Sequence, residues 1–218
     1  MKITELFDLT KSIAGVFLSK FIYPEGSLSE LSDFIVELGS KLDKDKYVEA
    51  KKNIWIANTA TVADSATILA PCIICENAEI RHCAFIRGSV IVGNNAVVGN
   101  SSEVKNSILF DRVQVPHFNY VGDSILGYAS HLGAGAVTSN VKSDKTNVSI
   151  VRDGEKIITD RKKLGAMVGD HVEVGCGAVL CPGTIIGRES TIYPLSLVRG
   201  YVPSKSIYKD KNDIVIKE

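Results

Sequence analysis

Histidine 117 stands in VPHFNYVGDS, residues 115–124, behind a proline and three residues before Tyr120. An imidazole can take a proton near neutral pH, as attack by an amine on an activated carbonyl requires. A lone histidine is more often structural, so its surroundings have to decide its role. Arg87 and Lys105 lie 18 residues apart, and each follows a buried-type aliphatic, Ile86 and Val104. If that interval is one turn of a repeating coil, the two cations stack about 4.8 Å apart. At an effective dielectric of 20 they would repel by up to about 3–4 kcal/mol, less if the side chains diverge into water. An anion between them removes the repulsion; two solvated side chains are the plain alternative.

The elements that must hold these residues are written in a six-residue period. Ile56, Val62, Ile68, Ile74, Ile80, Ile86, Val92, Val98 and Val104 keep the spacing, and Val168, Val174, Leu180, Ile186, Ile192 and Val198 take it up again. A small residue follows four places later in most hexads, among them Ala60, Ala66, Ala78, Ala84, Ala96 and Ala178. Fixed-period self-similarity marks a solenoid, and six-residue periods belong to parallel β-helices whose coil is three hexads. Glycines directly after the aliphatic, such as Gly93, Gly99 and Gly133, are expected to supply turn conformations. The phase is expected to slip inside VPHFNYVGDS, between Val104 and Leu126, and local rule-breaking is where function is expected.

Residues 4–42 read as helix. Leu6, Leu9, Ile13, Val16 and Phe17, then Leu28, Leu31, Phe34, Ile35, Leu38 and Leu42, fall at spacings of three and four. The YPEGS turn separates them, with Ser27 or Ser29 as the second helix's cap. Residues 139–166 leave the array. They hold a strand–turn–strand signal, VSIVRDGEKIIT, with Asp153-Gly154 at its tip, and are basic through Lys142, Lys145, Arg152, Lys156, Arg161, Lys162 and Lys163. This segment is a solvated hairpin or an arm that closes over a phosphate-bearing ligand or reaches a neighbouring subunit. The expected organisation is a helical cap over 1–50, a β-helix over 51–203 interrupted by the arm, and a tail over 204–218.

Lysine plus arginine equals aspartate plus glutamate at 25 each. That balance gives no reason to expect nucleic acid or an anionic membrane as partner. No apolar run approaches the roughly 20 residues of a membrane span, and the opening MKITELFDLTKSIAG has no signal-peptide core, so a cytoplasmic setting is expected. The five cysteines are an odd number, which suits reduced thiols. CIIC, 72–75, has a metal or redox spacing, but the hexad frame turns Cys72 and Cys75 in different directions and favours packing.

The hexads resemble those of the left-handed β-helix of hexapeptide-repeat acyltransferases, and that resemblance supplies the handedness. From residue 87 to about 209, PHFNYVGDS, GAGAVTSN and KLGAMVGDHVEVG are similar to the acetyltransferase half of bifunctional glucosamine-1-phosphate acetyltransferase/N-acetylglucosamine-1-phosphate uridyltransferase. They are closer still to the β-helix part of related sugar-1-phosphate nucleotidylyltransferases. The resemblance implies an acetyl-CoA-dependent N-acetyltransferase of an amino-sugar phosphate, working as a homotrimer and needing no metal. It makes His117 the general base, Arg87 and Lys105 the phosphate clamp, and Tyr120 a substrate contact. It makes Ala134 a backbone contact to acetyl-CoA and Asn140 a neighbour of the acetyl group and substrate. Lys142 or Lys145 stands for a substrate lysine, and Lys209 falls near a basic residue for the coenzyme's phosphates.

Some positions depart from the pattern. His131 replaces a substrate asparagine, Cys176 a coenzyme-side serine, Val141 a tyrosine, and Pro194-Leu195 an alanine-glycine pair. Backbone amides near Gly133–Gly135 would hold the oxyanion. Residues 1–55 lack a glycine-rich nucleotide loop, which speaks against nucleotidyl transfer.

Two other functions fit parts of the pattern. One is a zinc hydratase similar to γ-class carbonic anhydrase, in which His82 and His117 are suitably spaced but His131 lies too far along for the third ligand. The other is a catalytically silent trimer that binds sugar phosphates or nucleotide sugars.

Overall fold

A computed structural model describes residues 1–152 and 154–217. The hexads close into three long sheets that form the walls of a triangular prism: a first of nine strands, a second of nine that starts at Thr61–Val62, and a third of seven that starts at Thr67–Ile68. Each coil passes once through each wall, so neighbours within a wall come from successive coils. The first wall pairs Ile54–Ala57 with Cys72–Ile74 and then Val90–Val92, all parallel and 18 residues apart. The repeating aliphatics point inward and fill the core: Ile74, Ile86, Val92, Val98, Val104, Val168, Leu180 and Val198 are all fully buried.

The phase slips within the expected span from Val104 to Leu126, but in two steps, the second of them in the VGDS end of VPHFNYVGDS and neither at His117 itself. Val98 pairs with Val115, and Val104 with Val121, 17 residues on. The aliphatic step is five residues at Val104 to Leu109 and again at Val121 to Leu126, while Leu109, Val115 and Val121 keep six. His117 therefore stands in a regular hexad. The two shortened steps fall at one corner of the prism, directly after Lys105 and Gly122, and both tighten the turn from the third wall into the first.

The glycines that follow the aliphatics also act differently. Positive φ falls two residues later, at Ser101, Phe118, Gly135, Gly177 and Leu195. Gly99 is needed because of close packing between coils: a β-carbon there would meet the Pro116 carbonyl oxygen at 1.7 Å.

The helical reading of 4–42 holds as a longer helix only for Leu31–Gly39; the rest are one- or two-turn pieces, Ile3–Leu6, Leu9–Lys11, Gly15–Leu18 and Pro24–Ser29. Neither serine caps the long helix. Ser27 Oγ donates to the Pro24 carbonyl instead, and Glu30 occupies the cap position without a side-chain bond. Val16 is exposed.

These turns lie along the first wall. Its outward side chains, Trp55, Ile73, Ile91, Ile108, Ile125, Met167 and Ile185, are buried in one cluster with Leu6, Phe7, Phe17, Leu18, Leu31 and Ile35. The wall is apolar on both faces, which explains the runs CII and VIV. Tyr47–Lys51 adds an antiparallel strand at its edge. At the other end Ser206–Asp210 continues the second wall, and Asp213–Ile216 folds back on it.

The arm leaves after Val137–Thr138 and returns at Ala166–Val168. Ser149–Arg152 and Glu155–Ile158 form the hairpin; its expected tip at Asp153 lies outside the described residues. The arm folds back on its own molecule. Val148 and Ile150 are buried, and Arg152 pairs with Glu25 at 2.6 Å and stacks on Tyr23.

Candidate active site

Most of the expected site residues fall at two corners of the prism. His117 ends the strand Gln114–His117 and turns out at the corner between the second and third walls. Its backbone is fixed: the N–H donates to Asn119 Oδ1 and the carbonyl accepts from Gly135 N–H, both at 3.0 Å. Asn119 fills the small position of its hexad, and its amide donates inward to the carbonyls of Gly133 and Ala136. The imidazole is exposed and has no hydrogen-bond partner among the described residues.

Directly below in the same corner lies Ala134, since Gln114 pairs with His131 and the register carries on. Cys176 follows one coil on, through His131 opposite Glu173, and Pro194 one coil further. Lys209 lies in the following coil, after Tyr208 opposite Ile192, and is paired with Asp213 at 3.0 Å. With coils about 4.8 Å apart, His117, Ala134, Cys176 and Pro194 stand in one column, and Lys209 lies one register position off it, opposite Tyr193. The N–H groups of Gly133 and Gly135 are spent on Val174 and His117 carbonyls, so they are unavailable to an oxyanion. Ala134 and Cys176 N–H have no partner among the described residues. A β-carbon on Gly133 would meet the Cys176 nitrogen at 2.7 Å, so the glycine lets the coils approach here.

The third wall and its far corner carry the polar cluster. Arg87 and Lys105 do stack, but each has its own carboxylate. Arg87 Nη1 lies 2.6 Å from Glu103 Oε1, and that hydrogen bond raises the guanidinium's already high pKa. Lys105 Nζ lies 3.3 Å from both oxygens of Asp123. The repulsion that called for an external anion is therefore offset within the chain. Asp123 is only 4 % exposed and also accepts from Asn106 Nδ2 at 2.8 Å and from Asn140 Nδ2. Asn140 Nδ2 lies 3.1 Å from the Tyr120 hydroxyl. Burial, then the Asp123 charge, raises the Tyr120 pKa, so the phenol stays protonated.

Lys105, Tyr120 and Asn140 thus meet in one network around Asp123, and the Arg87–Glu103 pair stacks beside it on the same wall. His131 does not join it; it lies on the second wall, with Nδ1 2.9 Å from Glu173. Lys142 points along the arm's base to Asp144 and Thr146, beside a cleft of about 330 Å³ that Arg199 also lines. Lys145 is exposed at positive φ. Glu103 and Asp123 were not among the expected site residues. Glu103 shows its place only through register, opposite Phe85 and Tyr120 on the same outward face.

The proposed histidine ligands for zinc do not gather. His82 bonds Ser65 two coils above His117, and His131, in the strand next to that of His117, stands opposite Gln114 rather than His117 and is bonded to Glu173. Among the described residues no three metal-ligating side chains cluster. Cys72 and Cys75 are buried, and burial pushes the Cys75 thiol up to about 12.

The sequence model of the family described as the GMPPB C-terminal domain matches residues 68–216. The chain belongs to the GMPPB C-terminal domain family. Among its relatives is a bifunctional sugar-1-phosphate nucleotidylyltransferase/acetyltransferase of Sulfurisphaera tokodaii. It is 34% identical over 103 residues, covering 47% of this chain and 26% of that protein. The bifunctional protein GlmU of Methanococcus maripaludis strain C5 is 36% identical over 110 residues, covering 50% of this chain and 26% of the relative. The GMPPB-type chain thus spans about a quarter of the length of the curated relatives it matches. A solved mutant of perosamine N-acetyltransferase from Caulobacter crescentus, in complex with CoA and GDP-perosamine, is similar at 18% identity and a TM-score of 0.38. The match covers 76% of this chain and 56% of that one.

Proposed function

We propose that this chain is an acetyl-CoA-dependent N-acetyltransferase acting on an amino-sugar phosphate. The observation that carries the proposal is the register that puts His117 one coil above an Ala134 N–H without a partner among the described residues, beside a wall that carries Lys105, Tyr120 and Asn140. The sugar's amine attacks the thioester carbonyl, forming the C–N bond, and His117 accepts the amine proton. The Ala134 N–H donates to the carbonyl oxygen as it gains charge. The C–S bond breaks, and the coenzyme thiolate leaves and is protonated. The coenzyme runs down the column past Cys176 towards Lys209.

Arg87 and Lys105 hold the sugar phosphate by exchanging part of their bonding to Glu103 and Asp123. An exposed His117 needs a second wall to exclude water, which supports a homotrimer with sites between subunits. Five free cysteines support a reducing, cytoplasmic setting. No helix among the described residues is long and apolar enough to cross a membrane.

A second reading is a sugar-phosphate-binding trimer without catalysis. It is favoured by Pro194, which puts a residue with no N–H into the coenzyme column. Thiol release from acetyl-CoA with a panel of amines, including glucosamine-1-phosphate and galactosamine-1-phosphate, separates the two. Wild type is expected to release thiol only with an amino-sugar phosphate, and His117→Ala to lose at least about 10²-fold while keeping sugar-phosphate affinity. Binding without release in wild type would leave the silent reading.

A further inference from the structure

The most deeply buried charge near the proposed acceptor site is Asp123. Its carboxylate is met by three side-chain donors, Lys105 Nζ, Asn106 Nδ2 and Asn140 Nδ2. The Asn140 amide links Asp123 to the Tyr120 hydroxyl. The main chain of the same residue is equally occupied. Its N–H donates to the Lys105 carbonyl at 2.9 Å, and its carbonyl accepts from Gly165 N–H at 2.8 Å. Gly165 is where the arm rejoins the prism, and Asn140 is where it leaves. Leu164 N–H in turn donates to the Asn140 carbonyl at 2.9 Å. The contact at Gly165 is close: a β-carbon there would meet the Gly122 carbonyl oxygen at 2.1 Å.

We propose that Asp123 is the positioning residue of the acceptor site: its carboxylate sets Lys105, Asn140 and Tyr120 together and closes the stem of the arm. The proposal rests on the acetyltransferase reading for its kinetic consequence, though not for its structural one. Asp123 sits at one of the two five-residue steps, and the shortened turn brings its carboxylate under Lys105 of the preceding coil. A six-residue step would add one residue to that turn and change this register. Lys105 alone, as a charge on a flexible stem, would sample many positions. A buried carboxylate with its acceptor sites filled fixes it without coordinating the ligand itself.

Asp123→Asn keeps the shape but replaces one acceptor oxygen by a donor, which faces other donors. The variant is expected to raise the acceptor KM by about tenfold, the cost of one charge-assisted hydrogen bond. The acetyl-CoA KM should stay within about twofold, because the coenzyme column makes no bond to Asp123. Adding Asn140→Asp restores a donor–acceptor pair with the polarity reversed, and is expected to recover part of the acceptor KM. Hydrogen exchange of peptides spanning 139–165 gives a readout independent of turnover. It should quicken in Asp123→Asn at the stem, with exchange in the first wall unchanged.

Unchanged exchange at the stem overturns the proposal whether or not the protein transfers acetyl groups. So does an equal rise in both KM values together with a general loss of exchange protection, since that is a folding defect. Absence of thiol release in wild type, with quickened stem exchange in the variant, would refute the acetyltransferase reading and leave the positioning role of Asp123 standing.

Discussion

Thiol chemistry separates the five cysteines by their place in the coil. Cys72 and Cys75 are buried in the first wall, and desolvation raises both thiols. With Cys75 at about 12, almost no thiolate exists at neutral pH to react. Cys83 and Cys176 are exposed, and Cys176 lies one coil below Ala134 in the column assigned to the coenzyme. A chromogenic disulfide reagent is expected to titrate two fast thiols on the native protein and all five in denaturant. Acetyl-CoA should protect one of the fast pair, and mass mapping should identify it as Cys176. Protection of Cys83 instead, or of neither, would move the coenzyme off this corner. The CIIC spacing carries no redox meaning for the same reason that the inward alternation of the coil gave: Cys72 occupies a small interior position.

Close packing between coils is decided at single positions. Gly99 abuts the Pro116 carbonyl, immediately before His117, so Gly99→Ala must push two coils apart. The expected loss is about 1–3 kcal/mol in chemical denaturation, the usual cost of overpacking. Gly154→Ala, with nothing within 4 Å of its β-position, tests a different effect, the positive φ of 82° alone. It should cost less. A Gly99→Ala protein as stable as wild type would mean that the coils are less tightly stacked than the geometry requires.

The period-six aliphatics made the walls legible, because every interior position repeats one chemical demand. The shortened steps were harder to place. A missing residue at Lys105–Asn106 leaves the hexads on both sides intact, so the sequence reports that phase is lost between Val104 and Leu126 without saying where. The paired carboxylates were illegible for a related reason. Glu103 reaches Arg87 across 16 residues and Asp123 reaches Lys105 across 18. In the second case the partners occupy different offsets in their hexads because of the shortened turn. The N-terminal turns misled through spacing alone: apolar residues at three and four also suit short turns laid on a flat apolar wall.

The walls of the whole molecule differ in what they offer a partner. Its first wall is covered by its own N-terminal turns and arm. Its second wall presents Glu79, Gln114, His131, Glu173 and Thr191 outward, a polar surface. Val16, Ile22, Ile158 and Ile216 are exposed singly elsewhere, but along the corner that carries His117 and on the adjoining third wall exposed large apolar side chains stand close together in register. Phe118 is 62% exposed, Leu195 84% and Leu197 61%, and Tyr193 lies beside them. Phe118 and Leu195 also hold positive φ, a conformation that bulky residues rarely take, at corner positions where Gly135 and Gly177 sit in the coils between. Isolated exposed apolar residues mean little, but an aligned set next to an open histidine is a surface suited to another subunit. The proposed trimer therefore predicts that Leu195→Asp with Leu197→Asp yields monomers by light scattering, with the far-ultraviolet circular dichroism of wild type. Thiol release should fall by more than about tenfold, because the wall that shields the reacting amine from water is gone. A double variant that stays trimeric would move the interface elsewhere. A monomeric wild type with full activity would show that one prism suffices, and that His117 works at an open corner.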